Sequence, residues 1–272
     1  MSSPAVDQEL LHRGHVVLRV DGAVATVTLN RPESRNAQLP ETWAALAHLG
    51  DTLTEDIRVV VVCGEGPSFS AGLDLSAFAP TPGSLLGATA RAPQAVAEAR
   101  IAEFQRGFTW LSDPRFISIA AVAGHAIGAG FQLALACDLI VAADNAEFRM
   151  AEVSYGLVPD LAGTGPLLRL VGYQRALEIC ATGRHVHAEE AVRIGLVLCS
   201  VPLSDLDGAV ADLAAALVES PVEAVRAVKG LLAGAHDRTV AEQHAAERAA
   251  QVPLLHRLAA AAAAAAESEA AR

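Results

Sequence analysis

The chain is poor in aromatic side chains, which make up 4% of its 272 residues, and it holds only two Trp and two Tyr. A core built from it must pack small and aliphatic side chains. Basic charge is also scarce: 20 Lys and Arg stand against 31 Asp and Glu, a formal net charge of −11. Phosphate contacts need clustered Lys and Arg, so no nucleic-acid partner is expected. The four cysteines, Cys63, Cys137, Cys180 and Cys199, form no Cys-x-x-Cys pair. They read as small apolar residues of a reducing, cytoplasmic setting rather than as a disulfide framework. Met1 to Leu10 lacks the basic and apolar stretches of a signal peptide. No membrane partner is expected either. The one long uncharged run, Phe116 to Cys137, contains three glycines, His125 and Gln132. It reads as a buried strand, a glycine turn and a buried helix.

Several catalytic signatures are missing too. There is no phosphate-binding G-x-x-x-x-G-K-[ST], no H-E-x-x-H and no G-x-S-x-G. The pairs Gly64/Gly66 and Gly128/Gly130 lack the third glycine of a dinucleotide fingerprint. His185 and His187 stand two apart with no further ligand at a metal-binding spacing, so no metal is expected.

What is present reads as one α/β core followed by helices. Residues 15–20 and 23–29 are β-branched runs split by Asp21-Gly22, a hairpin signal. The spacing of Trp43, Leu46, Leu49 and Leu53 predicts a helix over 40–55. Val59 to Cys63 predicts a buried strand. Residues 79–93, rich in Pro and Gly, predict a loop or lid beside a cleft. A helix over about 94–112, a strand over 116–122, a glycine turn over 124–130, a helix from about 130 and a strand over 138–142 follow. Residues 147–165 read as irregular, the chain from about 166 as helical, and 198–201 as one more strand. The expected division is a core over 1–200, a helical part over 201–258 and an Ala-rich tail over 259–272, frayed or extending a helix.

Two glycine turns stand at strand ends: Phe69-Ser70-Ala71-Gly72-Leu73-Asp74-Leu75 and Gly124 to Gly130. Each is either a tight packing turn or a place where backbone approaches a ligand. The second feeds a helix N-terminus, whose free N–H groups favour developing negative charge. Two such N–H groups aimed at one oxygen form an oxyanion hole.

These segments resemble the crotonase superfamily of enoyl-CoA hydratases and isomerases. Thr28 to Pro32 with Asn36-Ala37 resembles its opening strand and loop. Phe69 to Leu75 and Ala121 to Asp138 resemble its two oxyanion segments. Ala181-Thr182-Gly183, Ala188 to Ala191 and Gly195-Leu196-Val197 resemble its later "TG…A…A…GLV" stretch. The resemblance runs over about residues 15–255. It implies a crotonase spiral of ββα units with a helical C-terminal trimerisation part, a homotrimer or dimer of trimers, and an acyl-CoA substrate with no separate cofactor. It further implies a thioester carbonyl bound by the N–H groups of Leu73 and Ala129, the latter replacing the family's usual Gly. Arg35, Ala37, Ala71, Gly72, Asp74, Leu75, Ile127 and Gly128 would line the CoA and acyl site, with Arg35 a phosphate partner and Asp74 steadying its own loop.

A hydratase of this family uses two glutamates. Here the matching positions are Gln132 and Glu152. Gln holds water by hydrogen bonds but accepts no proton at neutral pH. Asp160, eight residues beyond Glu152, matches a carboxylate of the family's dienoyl-CoA isomerases; its plainer reading is a helix cap. The resemblance therefore implies double-bond isomerisation through an enolate. Hydration of a 2-enoyl-CoA and a catalytically weak acyl-CoA-binding protein are the alternatives.

Overall fold

The structure, a computed structural model, describes residues 6–78 and 84–270. The chain divides into two compact units, Met1–Ala215 and Ala216–Arg272. In the first, β1 (Val16–Asp21) and β2 (Val24–Leu29) form the antiparallel hairpin around Asp21-Gly22. Gly22 takes a left-handed φ of +55° that the tight turn requires. The remaining strands are β3 (Val59–Gly64), β4 (Ile117–Val122), β5 (His125–Ile127), β6 (Leu139–Ala143), β7 (Glu147–Arg149), β8 (His185–His187) and β9 (Cys199–Val201). Six strands form one sheet in the order β1-β2-β3-β4-β6-β9, parallel from β2 onward; β5, β7 and β8 form a second. Val59 to Val62 are all buried, which explains an apolar run without alternation in an interior parallel strand. The edge strand β1 is largely exposed and carries Arg19 and Asp21, charges that discourage pairing with another chain.

Sheet order sets the site. β3, β4 and β6 are parallel neighbours, so all three release the chain at the same edge. Segments far apart in sequence, 65–75, 123–130 and 144–161, therefore emerge side by side. Helices Pro40–Thr52 and Gln94–Thr109 pack together, with the Trp43 ring 5.0 Å from Phe104 and 6.1 Å from Phe108.

Four sequence expectations need correction. The stretch from about 166, read as helical, contains β8, which pairs with β7. The turn over 124–130 contains β5. The irregular stretch over 147–165 contains β7 and a short helical turn, Glu152–Tyr155. These three-residue strands are too short for an alternating pattern and exist by pairing with each other. The connection over 79–93 holds a helix, Leu85–Ala90, capped by Ser84, whose Oγ accepts from the Gly87 N–H at 2.9 Å; residues 79–83 of that connection lie outside the described residues. In the second unit, helices Val222–Ala233 and Val240–Ala270 are joined by an ion pair from Arg257 to Glu223 at 3.0 Å. The alanine run lies within the longer of these helices. Among the described residues no helix is long and apolar enough to cross a membrane.

Candidate active site

The two glycine segments are zipped together. Phe69 N–H donates to Ala123 O at 2.7 Å, Ser70 N–H to His125 O at 2.8 Å, and Ile127 N–H to Ser70 O at 3.0 Å. Gly72, at φ +88°, lies so close to the second segment that a Cβ there would fall 2.4 Å from Ile127 O and 3.4 Å from Ala129 N. Leu73 follows Gly72 at once, and Ala129 opens helix Ala129–Ala136. Gly128 precedes that helix at φ +51°, ψ −117°. Leu73 and Ala129 line the same cavity. Among the described residues neither N–H meets an acceptor, and the first N–H groups of a helix have none within it.

A buried polar network holds the first segment from beneath. Trp43 Nε1–H donates to Gln38 Oε1 at 2.8 Å, and Gln38 Nε2 donates to Ser70 Oγ at 3.1 Å. Ser70 Oγ–H donates to Asn36 O at 2.8 Å and accepts from Gly72 N–H at 3.2 Å. Asn36 in turn donates to Glu65 O and Ser68 O. Buried polar groups that are satisfied in this way fix a loop without the cost of orphaned donors.

The third segment supplies carboxylates. Pairing of β5 with β7, continued by Gly128 N–H donating to Arg149 O at 2.8 Å, brings Glu152 beside the start of helix Ala129–Ala136. Glu152 Oε1 lies 3.3 Å from where a Cβ on Gly128 would sit. Gln132, one turn into the helix, donates from Nε2 to Glu152 Oε1 at 2.7 Å. Its own Oε1 accepts from Leu161 N–H at 2.9 Å and Gly163 N–H at 3.3 Å, which fixes the orientation of the amide. Glu152 Oε2 is buried and has no hydrogen-bond partner among the described residues. Burial pushes the Glu152 carboxyl above the usual range; its own backbone N–H and then the Gln132 side chain pull it partly back, and the nearby charge of Asp160 pushes it up again. Burial also raises Asp160. Helix Thr164–Val171 is entered through Gly163, so Asp160 is not its cap.

These groups meet in a cavity of about 780 Å³. Every site residue expected from the sequence lines it except Arg35 and Gln132. Arg35 is exposed and supports the site through its carbonyl, which accepts from Ala71 N–H at 2.8 Å. Gln132 is fully buried behind Glu152. Asp74 is held below the usual carboxylate range, first by the Ser76 hydroxyl, and pairs with Arg31. Sequence reasoning missed the apolar walls: Ile101 and Phe104 from one helix, Leu161, and the exposed rim of Tyr155, Leu157 and Val158. Trp43, named in the sequence only for its helical spacing, is both core and wall. Helical spacing marks a buried face, but not whether it meets a sheet or a cavity. Among the described residues the lining carries no Lys, Arg or His; its charged groups there are Asp74, Glu152 and Asp160. His185 and His187 lie elsewhere, both against Glu147. Among the described residues no group of three or more His, Cys, Asp or Glu is placed to hold a metal.

Comparison with known proteins bears on this site. Residues 19–263 match the family model of enoyl-CoA hydratase/isomerase. Carnitinyl-CoA dehydratase of Salmonella agona is 35% identical over 228 residues, which cover 82% of this chain and 81% of the relative. A Thermobifida fusca YX protein solved in complex with acetoacetyl-CoA superposes with a TM-score of 0.88 at 43% identity, covering 93% of this chain and 100% of that one. An enoyl-CoA hydratase from Polaromonas sp. JS666 gives a TM-score of 0.80 at 32% identity, over 93% of this chain and 96% of that one.

Proposed function

The chain belongs to the enoyl-CoA hydratase/isomerase family of acyl-CoA enzymes, and from that premise we propose that it moves a double bond along the acyl chain of an enoyl-CoA. The observation that carries this reading is one carboxylate with a free, buried oxygen beside two unpartnered N–H groups in one cavity. The thioester oxygen accepts from Leu73 N–H and Ala129 N–H. Glu152 takes a proton from C2 of a 3-enoyl-CoA, and the electron pair moves through the carbonyl to give an enolate held by those donors. Losing one such donor typically costs about 10²–10³-fold in rate. The same carboxyl returns the proton at C4, leaving the double bond conjugated with the thioester. Burial makes Glu152 a stronger base than an exposed carboxylate. Gln132 adds no second base, and its amide is engaged at both ends by protein groups. The apolar walls favour an apolar acyl chain. The working form is a homotrimer or a dimer of trimers.

One observation favours a second reading, hydration: Asp160 lines the same cavity with its carboxyl also raised, and could serve with Glu152 to position water. Supplying 2-enoyl-CoA and 3-enoyl-CoA separately and following the conjugated enoyl absorbance separates the two. Isomerisation predicts that 3-enoyl-CoA gains absorbance, that 2-enoyl-CoA keeps it, and that Asp160→Asn turns over within a few-fold of wild type. Loss of absorbance from 2-enoyl-CoA, collapsing in Asp160→Asn, would establish hydration instead. Binding of both thioesters with no turnover would mark a binding protein.

A further inference from the structure

We propose that Gln132 is a positioning residue: it ties down Oε1 of Glu152, so that proton transfer runs through Oε2 alone, and it couples the base to the acyl-pocket wall at Leu161. The proposal rests on Glu152 being the proton carrier. The geometry is directional. The Gln132 carbonyl is claimed by two backbone donors, Leu161 N–H and Gly163 N–H, so its NH₂ must face the carboxylate. Gly163 leaves room for this arrangement, since a Cβ there would fall 2.7 Å from Gln132 Cγ. Oε1 is thereby held against Gly128, while Oε2 is left without a hydrogen-bond partner among the described residues. A carboxylate held by one oxygen has one lone-pair set free to meet the substrate proton, in one orientation. A glutamate at position 132 would give a pair of acids; this glutamine instead gives a single aimed base.

The titratable groups facing Glu152 are Asp160 from the segment after the Glu152–Tyr155 turn and Cys180 from helix Tyr173–Thr182. Helix Ala129–Ala136 offers none. Removing the Gln132 donor therefore removes the one side chain that favours the Glu152 charge and leaves only the backbone N–H groups of Glu152 and Ala151 to support it.

Infrared titration of the protonated carboxyl, assigned by its loss in Glu152→Gln, tests this without relying on activity. In Gln132→Met the Glu152 midpoint should rise by about one pH unit, the size expected for losing a hydrogen bond to a charged group. With 3-enoyl-CoA, kcat should fall roughly tenfold or more while KM stays within a few-fold. Gln132→Glu keeps the acceptor for Leu161 and Gly163, so it guards against a folding failure. Two carboxyl groups placed where Gln132 Nε2 and Glu152 Oε1 now lie 2.7 Å apart should share a proton and titrate in two separated steps. Unmoved midpoints in both variants, with only thermal stability lowered, would overturn the positioning role. Failure of the wild type to convert 3-enoyl-CoA at any pH would instead overturn the proposed reaction and leave the titration result standing.

Discussion

The feature that suits Glu152 to the proposed role of base also costs stability: its carboxyl is out of water with one oxygen unpaired among the described residues. Glu152→Gln retains a side-chain oxygen where Oε1 now accepts from Gln132, but it cannot carry a proton. Turnover should fall by about 10²–10⁴-fold, the usual cost of a lost general base, while binding of a saturated acyl-CoA, anchored on backbone N–H groups, should change little. Stability should move the other way. A carboxyl whose folded pKa is raised above its unfolded value contributes stability only at low pH, and that contribution is lost as pH rises through the folded pKa. A permanently neutral side chain escapes the loss. Glu152→Gln should therefore melt at or above the wild-type temperature at pH 7, and the gap should close below the ordinary carboxylate range. A variant melting several degrees lower at pH 7 would contradict the burial argument. In wild type, the same raised pKa predicts that turnover falls as pH drops through the folded value.

Between elements, the site depends on how closely two segments cross. Gly72 sits where the first glycine segment touches the second, and Ile127 O occupies the place of its missing Cβ. Gly72→Ala must part the two segments and strain a backbone at φ +88°, at a cost of about 1–3 kcal/mol. It also displaces the Leu73 N–H, one of the two proposed oxyanion donors, so kcat should fall by about 10²-fold or more; thermal melting and 3-enoyl-CoA turnover measure the two effects. Both segments were legible in the sequence because glycine and buried apolar runs are local signals. Glu152 and Asp160 stood out by their spacing within the family pattern. The pairing of β5 with β7, which delivers Glu152, was not legible, because three-residue strands have no period and form only by contact. Nor was the role of Trp43 and Phe104 as cavity walls, since the side-chain spacing is identical for a face against a core and a face against a ligand. The positions of Arg35 and Gln132 were also hidden. An exposed arginine that works through its carbonyl, and a glutamine whose amide direction is set by two distant backbone donors, are properties of the folded chain only.

The whole molecule exposes more apolar surface than one copy has use for. In the unit Ala216–Arg272 the only buried residue among those described is Lys229, while Val228, Leu232, Val240, Leu255 and Leu258 are exposed. Most helical stability in proteins comes from burying an apolar face, and short helices that bury none are marginal in water. In the first unit, Leu168, Leu170, Tyr173 and Leu177 are exposed on the successive helices Thr164–Val171 and Tyr173–Thr182. Closed symmetry among identical chains would cover such faces. Sedimentation at micromolar concentration should therefore give three or six copies of the 28.1 kDa chain. Because assembly stabilises only the folded form, the melting temperature should also rise with protein concentration. A 28.1 kDa species with a concentration-independent melting temperature would show that these helices are stable alone, and would remove the physical argument for a trimer.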